Sequence, residues 1–474
     1  MAKSDASGTS SRTFLGEMFD RFVEQSAVTV MTRATIENAL APKELDALFE
    51  RDARRQYTRE LLFSTLVALM SVVVCRVRKS VHAAYQAMAE EIPASVTALY
   101  KKLAGMEPEL SGALVRHTAR RLREVVEASG GALPPPLPGY RVRILDGNHL
   151  RATHRRLKVL RGSHAGPLPG FGLVVLDPAL MLATDLIVCE DGHAQERSLT
   201  DEILGLVEPN DVWVDDRNFC TTRLLFGIAD KGAFFVTRQH AASLRWRPVG
   251  TRCKVGRVDG GTVYEQAMLV WLDDPLGRLL HVRRITVALD KATRDGEAEI
   301  HILTNLPEQV PAERIAELYR QRWDIETLFA ELERNLDGEI DTLGYPKAAL
   351  FAFATALVAY NALSTVKAAL RARHGAQTIE QTLSAYFLAD EISGTYRGMM
   401  IALPEPQWLP FRDMTAAELA TQLVRFAAHV KLPRLAKHRS GPRGPRRARV
   451  RYRGKTHVST ARLLARQRRS ARAR

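Results

Sequence analysis

The run Tyr140-Arg141-Val142-Arg143-Ile144-Leu145-Asp146-Gly147 decides how the rest of the chain is read. It follows the clearest linker in the sequence, Ser129-Gly130-Gly131-Ala132-Leu133-Pro134-Pro135-Pro136-Leu137-Pro138-Gly139, whose glycines and prolines interrupt any regular element. Ahead of the linker, from about residue 12 to 129, apolar residues recur at spacings of three and four, the helical period. Behind it the pattern changes to short apolar runs. Residues 140–145 read as a strand closing at Asp146-Gly147, and 170–176 and 179–189 as strands around an Asp177-Pro178 turn. A helix over 196–207, a strand over 211–216, a helix over 222–231 and a strand over 233–237 follow. Three strands, helix, strand, helix, strand make an α/β layer with mixed strand directions.

Farther out, short alternating runs between about 238 and 303 predict a β-rich insertion. The chain returns through a strand at 299–304 and enters a helix after Pro307 and Pro311. The organisation expected is a helical N-terminal region (1–138), an α/β unit with its insertion (139–345), a helical region (346–430) and a tail (431–474).

The 474 residues carry a net charge of +15, with 46% hydrophobic and 26% charged residues. That balance describes a globular protein with a polyanionic partner, nucleic acid or an anionic membrane. The excess charge sits in the tail: residues 431–474 hold 17 Lys and Arg and no acid, leaving 51 basic against 53 acidic residues elsewhere. A segment so basic and so rich in Arg, Gly and Pro is expected to be disordered. It reads either as a phosphate-neutralising arm or as a solvated terminus.

The apolar runs 61–77 and 348–370 contain Ser64, Ser71 and Cys75, and Asn361, Ser364, Thr365 and Lys367, and are expected to be buried helices rather than membrane spans. The start of the chain is polar, so a cytoplasmic protein is expected. The four cysteines form no CxxC pair, which fits a reduced interior without a zinc ribbon. His149 and His154 near Asp146 read as local polar contacts. Around Pro93, residues 79–102 read as two helices joined by a turn, the second capped by Ser95 and presenting Thr97, Lys101 and Lys102. This is either a helix-turn-helix DNA reader or an ordinary helical hairpin.

Chemistry concentrates at three acids. Asp146 closes the first strand and Asp216 the fourth, the sheet edge where open α/β folds place ligands. Glu326 lies on a helix reading Tyr319-Arg320-Gln321-Arg322-Trp323-Asp324-Ile325-Glu326. At about 100° per residue, Tyr319, Arg322 and Glu326 fall within about a 60° arc. Convergent carboxylates need cations to stay ionised. Oxygen donors of this kind select Mg²⁺ or Mn²⁺, and a pair of such ions suits phosphoryl displacement.

These blocks resemble the DDE transposases of insertion sequences, specifically the IS-four group. Asp146-Gly147 is similar to the first aspartate block of that group, and Asp216-Arg217-Asn218-Phe219 to its Asp-Arg-Gly-Tyr/Phe block, which selects Asp216 over Asp215. Tyr319, Arg322 and Glu326 match the first three positions of its Tyr–Arg–Glu–Lys signature. The β-rich insertion between Asp216 and Glu326 falls where the group carries one. Two positions depart: Glu333 stands at the signature lysine, with Arg334 beside it, and Asn218 replaces a glycine.

The resemblance implies an RNase H-like core that cuts transposon ends and joins them to target double-stranded DNA, using two Mg²⁺ or Mn²⁺ ions held by Asp146, Asp216 and Glu326. It further implies phosphate contacts by Tyr319, Arg322 and Arg217, and stacking of a flipped base on an aromatic, for which Trp246 and Trp271 are the candidates. A homodimer on DNA and no membrane partner are expected. An RNase H-like nuclease that does not join strands, and a decayed copy that only binds DNA, remain open beside this reading.

Overall fold

A computed structural model describes residues 16–56, 60–150, 157–161, 166–240, 244–272, 277–293, 296–340, 342–438 and 457–472. The strands are β1 (Arg141–Leu150), β2 (Gly166–Leu168), β3 (Gly170–Asp177), β4 (Leu182–Cys189), β5 (Asp211–Asp215), β6 (Phe234–Arg238), β7 (Arg245–Pro248), β8 (Cys253–Val258), β9 (Gly261–Trp271), β10 (Leu279–Leu289), β11 (Glu299–Thr304) and β12 (His457–Ser459).

Ten of them form one sheet in the order β4-β3-β1-β5-β6-β11-β10-β9-β7, with β8 also paired to β9. Its first five strands are a meander, β1-β3-β4, followed by β5 and β6 parallel to β1. Helices flank this mixed sheet, an arrangement consistent with the RNase H-like core expected above. The stretch expected as an insertion is no separate layer. Strand β11 pairs antiparallel with β6, so β7–β11 extend the same sheet.

Strand β1 runs past its expected end. Its parallel pairing with β5 stops at Ile144↔Val214, while its pairing with β3 continues to Leu150↔Gly170. The hairpin with β3 supplies partners for β1 beyond the point where β5 turns away, so Asp146 lies just past the parallel register rather than at a chain turn. The helix expected over 196–207 is a 3₁₀ turn, Glu196–Leu199, followed by the α-helix Thr200–Leu206.

The helix Pro346–His374 is the pillar of the molecule. Its length and apolarity would suffice to cross a membrane, but its most apolar stretch is wholly buried in the fold. The helices Glu17–Ala39, Phe63–Val74 and Pro108–Ser129 pack around it, as does Ala416–Ala427. The N- and C-terminal helical regions therefore make one body, sealed by Phe19, Trp408, Phe411 and Phe426. The Pro/Gly-rich linker lies against this body. Gly131 sits where a Cβ would meet the Ala368 carbonyl at 1.9 Å, and the buried Arg371 donates to the Gly131 carbonyl.

One expectation about a basic segment changes, and another basic face is paired. On the helix Pro108–Ser129, Arg121 bonds Asn38 and Glu44, Arg116 pairs with Asp185 and Arg123 with Asp177, so these arginines tie the helix to its neighbours and to the sheet. In the tail, Leu432–Leu435 forms a 3₁₀ turn, and β12 with the helix Thr460–Arg472 forms an ordered unit, because β2 offers β12 a partner strand. His154 lies outside the described residues, and His149 stacks on Phe171.

One polar contact joins pillar and sheet. The fully buried Asn361 donates from Nδ2 to the Ala183 carbonyl and accepts from the Ala183 N–H through Oδ1, both at 2.8 Å. It thereby satisfies the outer backbone groups of the edge strand β4. Asn361→Leu keeps the branched outline but strands a buried donor and a buried acceptor. It is expected to lower unfolding free energy by about 2–4 kcal/mol, measured by urea denaturation.

Candidate active site

The site forms where β1 and β5 part. Asp216 follows directly on β5 and opens the 3₁₀ turn Arg217–Phe219, its carboxylate accepting from the Arg217 N–H. Buried Phe219 anchors that turn in the core. Asp215, one residue earlier, is fully buried and paired in register with Thr237. Strand alternation turns it away from Asp216, and burial pushes its carboxyl well above the ordinary range.

The expected single helix is two, Ala312–Arg320 and Trp323–Asn335. At the joint, Arg322 donates its N–H to the Tyr319 carbonyl, Asp324 to Gln321 and Ile325 to Arg322. These i→i+3 bonds tighten one turn while keeping Tyr319, Arg322 and Glu326 on one stripe. Ile325, Leu328 and Leu332 bury the opposite side.

Arg322 closes the site. Its Nη1 donates to Asp146 Oδ2 and its Nη2 to Glu326 Oε1, each at 2.8 Å. Its Nε is buried and has no acceptor among the described residues. Burial opposes the guanidinium charge, but Tyr319, Asp146, Glu326 and Asp216 outweigh it and raise the Arg322 pKa. Burial pushes the Asp146 carboxyl up to about 6; Arg322 and the Gly147 N–H oppose the shift, and Glu196 and Asp216 add to it. Burial likewise raises the Tyr319 phenol.

Asp146, Glu326 and Arg322 are thus in direct contact, and Asp216 acts on Asp146 and Arg322 through its charge. The expected cage of Asp146, Asp216 and Glu326 is open: among the described residues no three acid, His or Cys side chains stand close enough to enclose an ion. The physical reason is charge: converging carboxylates repel, and Arg322 bonds Asp146 and Glu326 while the Asp216 carboxylate accepts from the Arg217 N–H. The donor set itself, carboxylate oxygen without thiolate or imidazole, fits a hard divalent cation.

Around this centre the other expected residues spread out. Arg217 is half-exposed and reaches Glu297, which also accepts from Arg238. Trp246 is half-buried in β7 beneath the Arg284 guanidinium, and Trp271 is half-buried at the end of β9. Trp323 is 63% exposed and directly follows Arg322. At the signature lysine position, Glu333 is exposed, as is Arg334. The Arg76 guanidinium reaches the carbonyls of Glu333, Arg334 and Leu336, placing a cation at the C-terminal end of the helix.

Sequence reasoning missed Glu196. Its Oε1 lies 2.0 Å from where a Cβ on Gly147 would stand, and its Oε2 accepts from Asn218 Nδ2 at 3.3 Å. A carboxylate therefore links strand β1 just past Asp146 to the 3₁₀ turn after Asp216. Burial pushes its pKa up, the Asn218 bond opposes this, and the Asp216 charge adds to it. Gly147 was the available signal, since glycine beside a functional group marks a close approach. Beside these residues opens a cleft of about 570 Å³ lined by His149, Glu196, Arg197, Asn218, Thr221 and His240 among others.

Residues 137–362 match the family model described as "Transposase DDE domain". Over these residues the chain is similar to the DDE transposases, a family that uses divalent metal ions. A protein of Sinorhizobium fredii (strain NBRC 101917 / NGR234) named "Putative transposase y4zB" is 33% identical over 131 residues, covering 27% of this chain and 35% of that protein. The chain accordingly spans about a third of the length of that relative.

Gly147→Ala is expected to displace the Glu196 carboxylate. It and Glu196→Ala should each weaken Mn²⁺ binding at this edge by about 10–100-fold, as loss of an orienting partner does. Glu196→Gln, which preserves the Asn218 bond, should lose less. Calorimetric titration with Mn²⁺, with thermal melts as a folding control, checks this.

Proposed function

We propose that the protein is a DNA transposase of the IS-four group that cuts transposon ends and joins them to target DNA in the cytoplasm. The observation that carries this reading is Arg322 joining Asp146 to Glu326 at the sheet edge where β5 delivers Asp216. Residues far apart in sequence thus meet at one acid-rich edge, within the stretch that matches a DDE domain.

Asp146, Asp216 and Glu326 would hold two Mg²⁺ or Mn²⁺ ions. Such ions, when bound, activate the attacking oxygen and stabilise the leaving one. The chain's own residues do the positioning. Arg322 has an unsatisfied Nε–H and presents guanidinium geometry suited to a phosphate. Tyr319 fixes Arg322 from the preceding turn. Arg217 and Arg238, sharing only Glu297, are placed to take further phosphates. For stacking a flipped base, Trp323 is better placed than Trp246 or Trp271, because it is exposed and adjacent to Arg322. Two ends must be held together, so the active species is read as a homodimer on double-stranded DNA, with the helical region before residue 139 contributing to DNA binding.

The test is incubation of the protein with Mg²⁺ and DNA carrying the flanking inverted repeats, followed by a search for joined products. Joined product is expected, and Asp146→Asn and Glu326→Gln should reduce it to the level of DNA without protein. Cut but unjoined ends would support a nuclease instead. A second reading, a DNA-binding protein that no longer cuts, is favoured by Glu333 at the signature lysine. Binding with no cutting, unaffected by either substitution, would establish it.

If Trp323 stacks on a base, Trp323→Ala should slow end processing by about 10–100-fold, in line with a stacking contribution of roughly 1–3 kcal/mol. Trp246→Ala should have little effect. Single-turnover assays on pre-nicked ends separate the two.

A further inference from the structure

The tail contains a structured unit that the activity above does not account for. Strand β12 pairs in parallel with β2, His457 opposite Gly166, Val458 opposite Pro167 and Ser459 opposite Leu168. Ser459 and Thr460 are buried, and Ser459 Oγ accepts from the Arg462 N–H to cap the helix Thr460–Arg472. Arg462 Nε donates to Asp191 Oδ2 at 2.6 Å. The loop carrying Asp191 packs closely on β2, since a Cβ on Gly192 would meet Leu168 Cβ at 2.6 Å. The helix is therefore latched at its N-terminal end by a strand pairing, a cap and an ion pair. An isolated 13-residue helix would be marginal in water.

Its location is specific. β2 leads into β3, the partner of β1 from Ile144 to Leu150, and Asp191 lies five residues before Glu196, which abuts Gly147. The latch thus sits at the same end of the sheet as the acid cluster.

Its chemistry is equally specific. Arg462, Arg466, Arg468 and Arg469 fall within about a 160° arc of the helix. Arg466, Arg468 and Arg469 are exposed, and among the described residues their side chains have no hydrogen bond or ion pair. No acid occurs in residues 431–474 to answer them. Like charges three and four residues apart destabilise a helix, so an anionic partner would stabilise this face. Leu463 and Leu464 are half-buried, which leaves no fully exposed leucine for a bilayer.

We infer that residues 457–472 are a docked arm that binds the phosphate backbone of duplex DNA entering the catalytic edge. The inference rests on the transposase reading for the identity of that DNA. The arm adds affinity without reading sequence, since phosphate contacts position a duplex rather than specify it.

The experiment measures binding of the full-length protein to a fluorescent 30-base-pair duplex by anisotropy across a KCl series. The triple variant Arg466→Gln, Arg468→Gln, Arg469→Gln is expected to bind at least about tenfold more weakly at low salt, with the slope of log K against log [KCl] reduced by about two to three. Val458→Pro breaks the pairing with β2 and leaves every charge in place; it should lose a comparable share of affinity.

Unchanged affinity and slope in the triple variant would overturn the arm. A loss in the triple variant with none in Val458→Pro would overturn docking, leaving an unlatched basic tail. Binding of the helix face to anionic phosphatidylserine vesicles but not to DNA would overturn the partner. A protein that binds through these arginines yet never joins DNA would sink the transposase reading and leave the arm standing. A joining-competent protein indifferent to the three arginines would do the reverse.

Discussion

The structure of the site depends on one guanidinium. Arg322 holds Asp146 on a central strand and Glu326 on a following helix, and these two carboxylates are 180 positions apart in the chain. An exposed ion pair contributes little, typically up to about 1 kcal/mol. The Arg322–Asp146 half of this bridge is largely buried, whereas the Glu326 half faces solvent. Loss of Arg322 would leave a buried carboxylate with its Gly147 bond but no cation, which is the costly case. The bridge therefore fixes where the second helix lies on the sheet. It also keeps acids together that would otherwise move apart.

The surrounding fold makes that bridge possible. β1 is paired on one side with β5 and on the other with β3, and the pairing with β5 ends two residues before Asp146. A gap opens there for the helix joint to enter. The tightened turn at 321–322 sets Arg322 at its mouth, and the buried pillar helix holds β4 and thus the whole meander in place. Glu196 then couples β1 just past Asp146 to the turn after Asp216. Position is supplied by rigid strands and a packed helix, and chemistry by short side chains at their ends.

Much of this was legible in the sequence, for physical reasons. Strand runs such as Leu279–Leu289 and Glu299–Thr304 show directly because alternation and β-branched residues report a pleated, half-buried surface. The Ser95 cap and the stripe of Tyr319, Arg322 and Glu326 follow from local geometry alone. What stayed hidden is what depends on distant partners. The extension of β1 is set by β3, the order of the tail by β2, and the merging of both helical regions by the pillar helix. Glu196 reads as an ordinary acid at the start of a helix until Gly147 is seen beneath it. Lys102, a candidate DNA contact, instead lies over the Phe49 ring.

The most direct test of the account is Mn²⁺ binding to the full-length protein, followed by calorimetry and by loss of the free-ion electron paramagnetic resonance signal. Saturable binding is predicted that weakens strongly in each of Asp146→Asn, Asp216→Asn and Glu326→Gln, with the fold intact by circular dichroism. Binding that persists unchanged in any one of the three, or that is absent from the unaltered protein with and without DNA, would contradict a shared cation site at this edge.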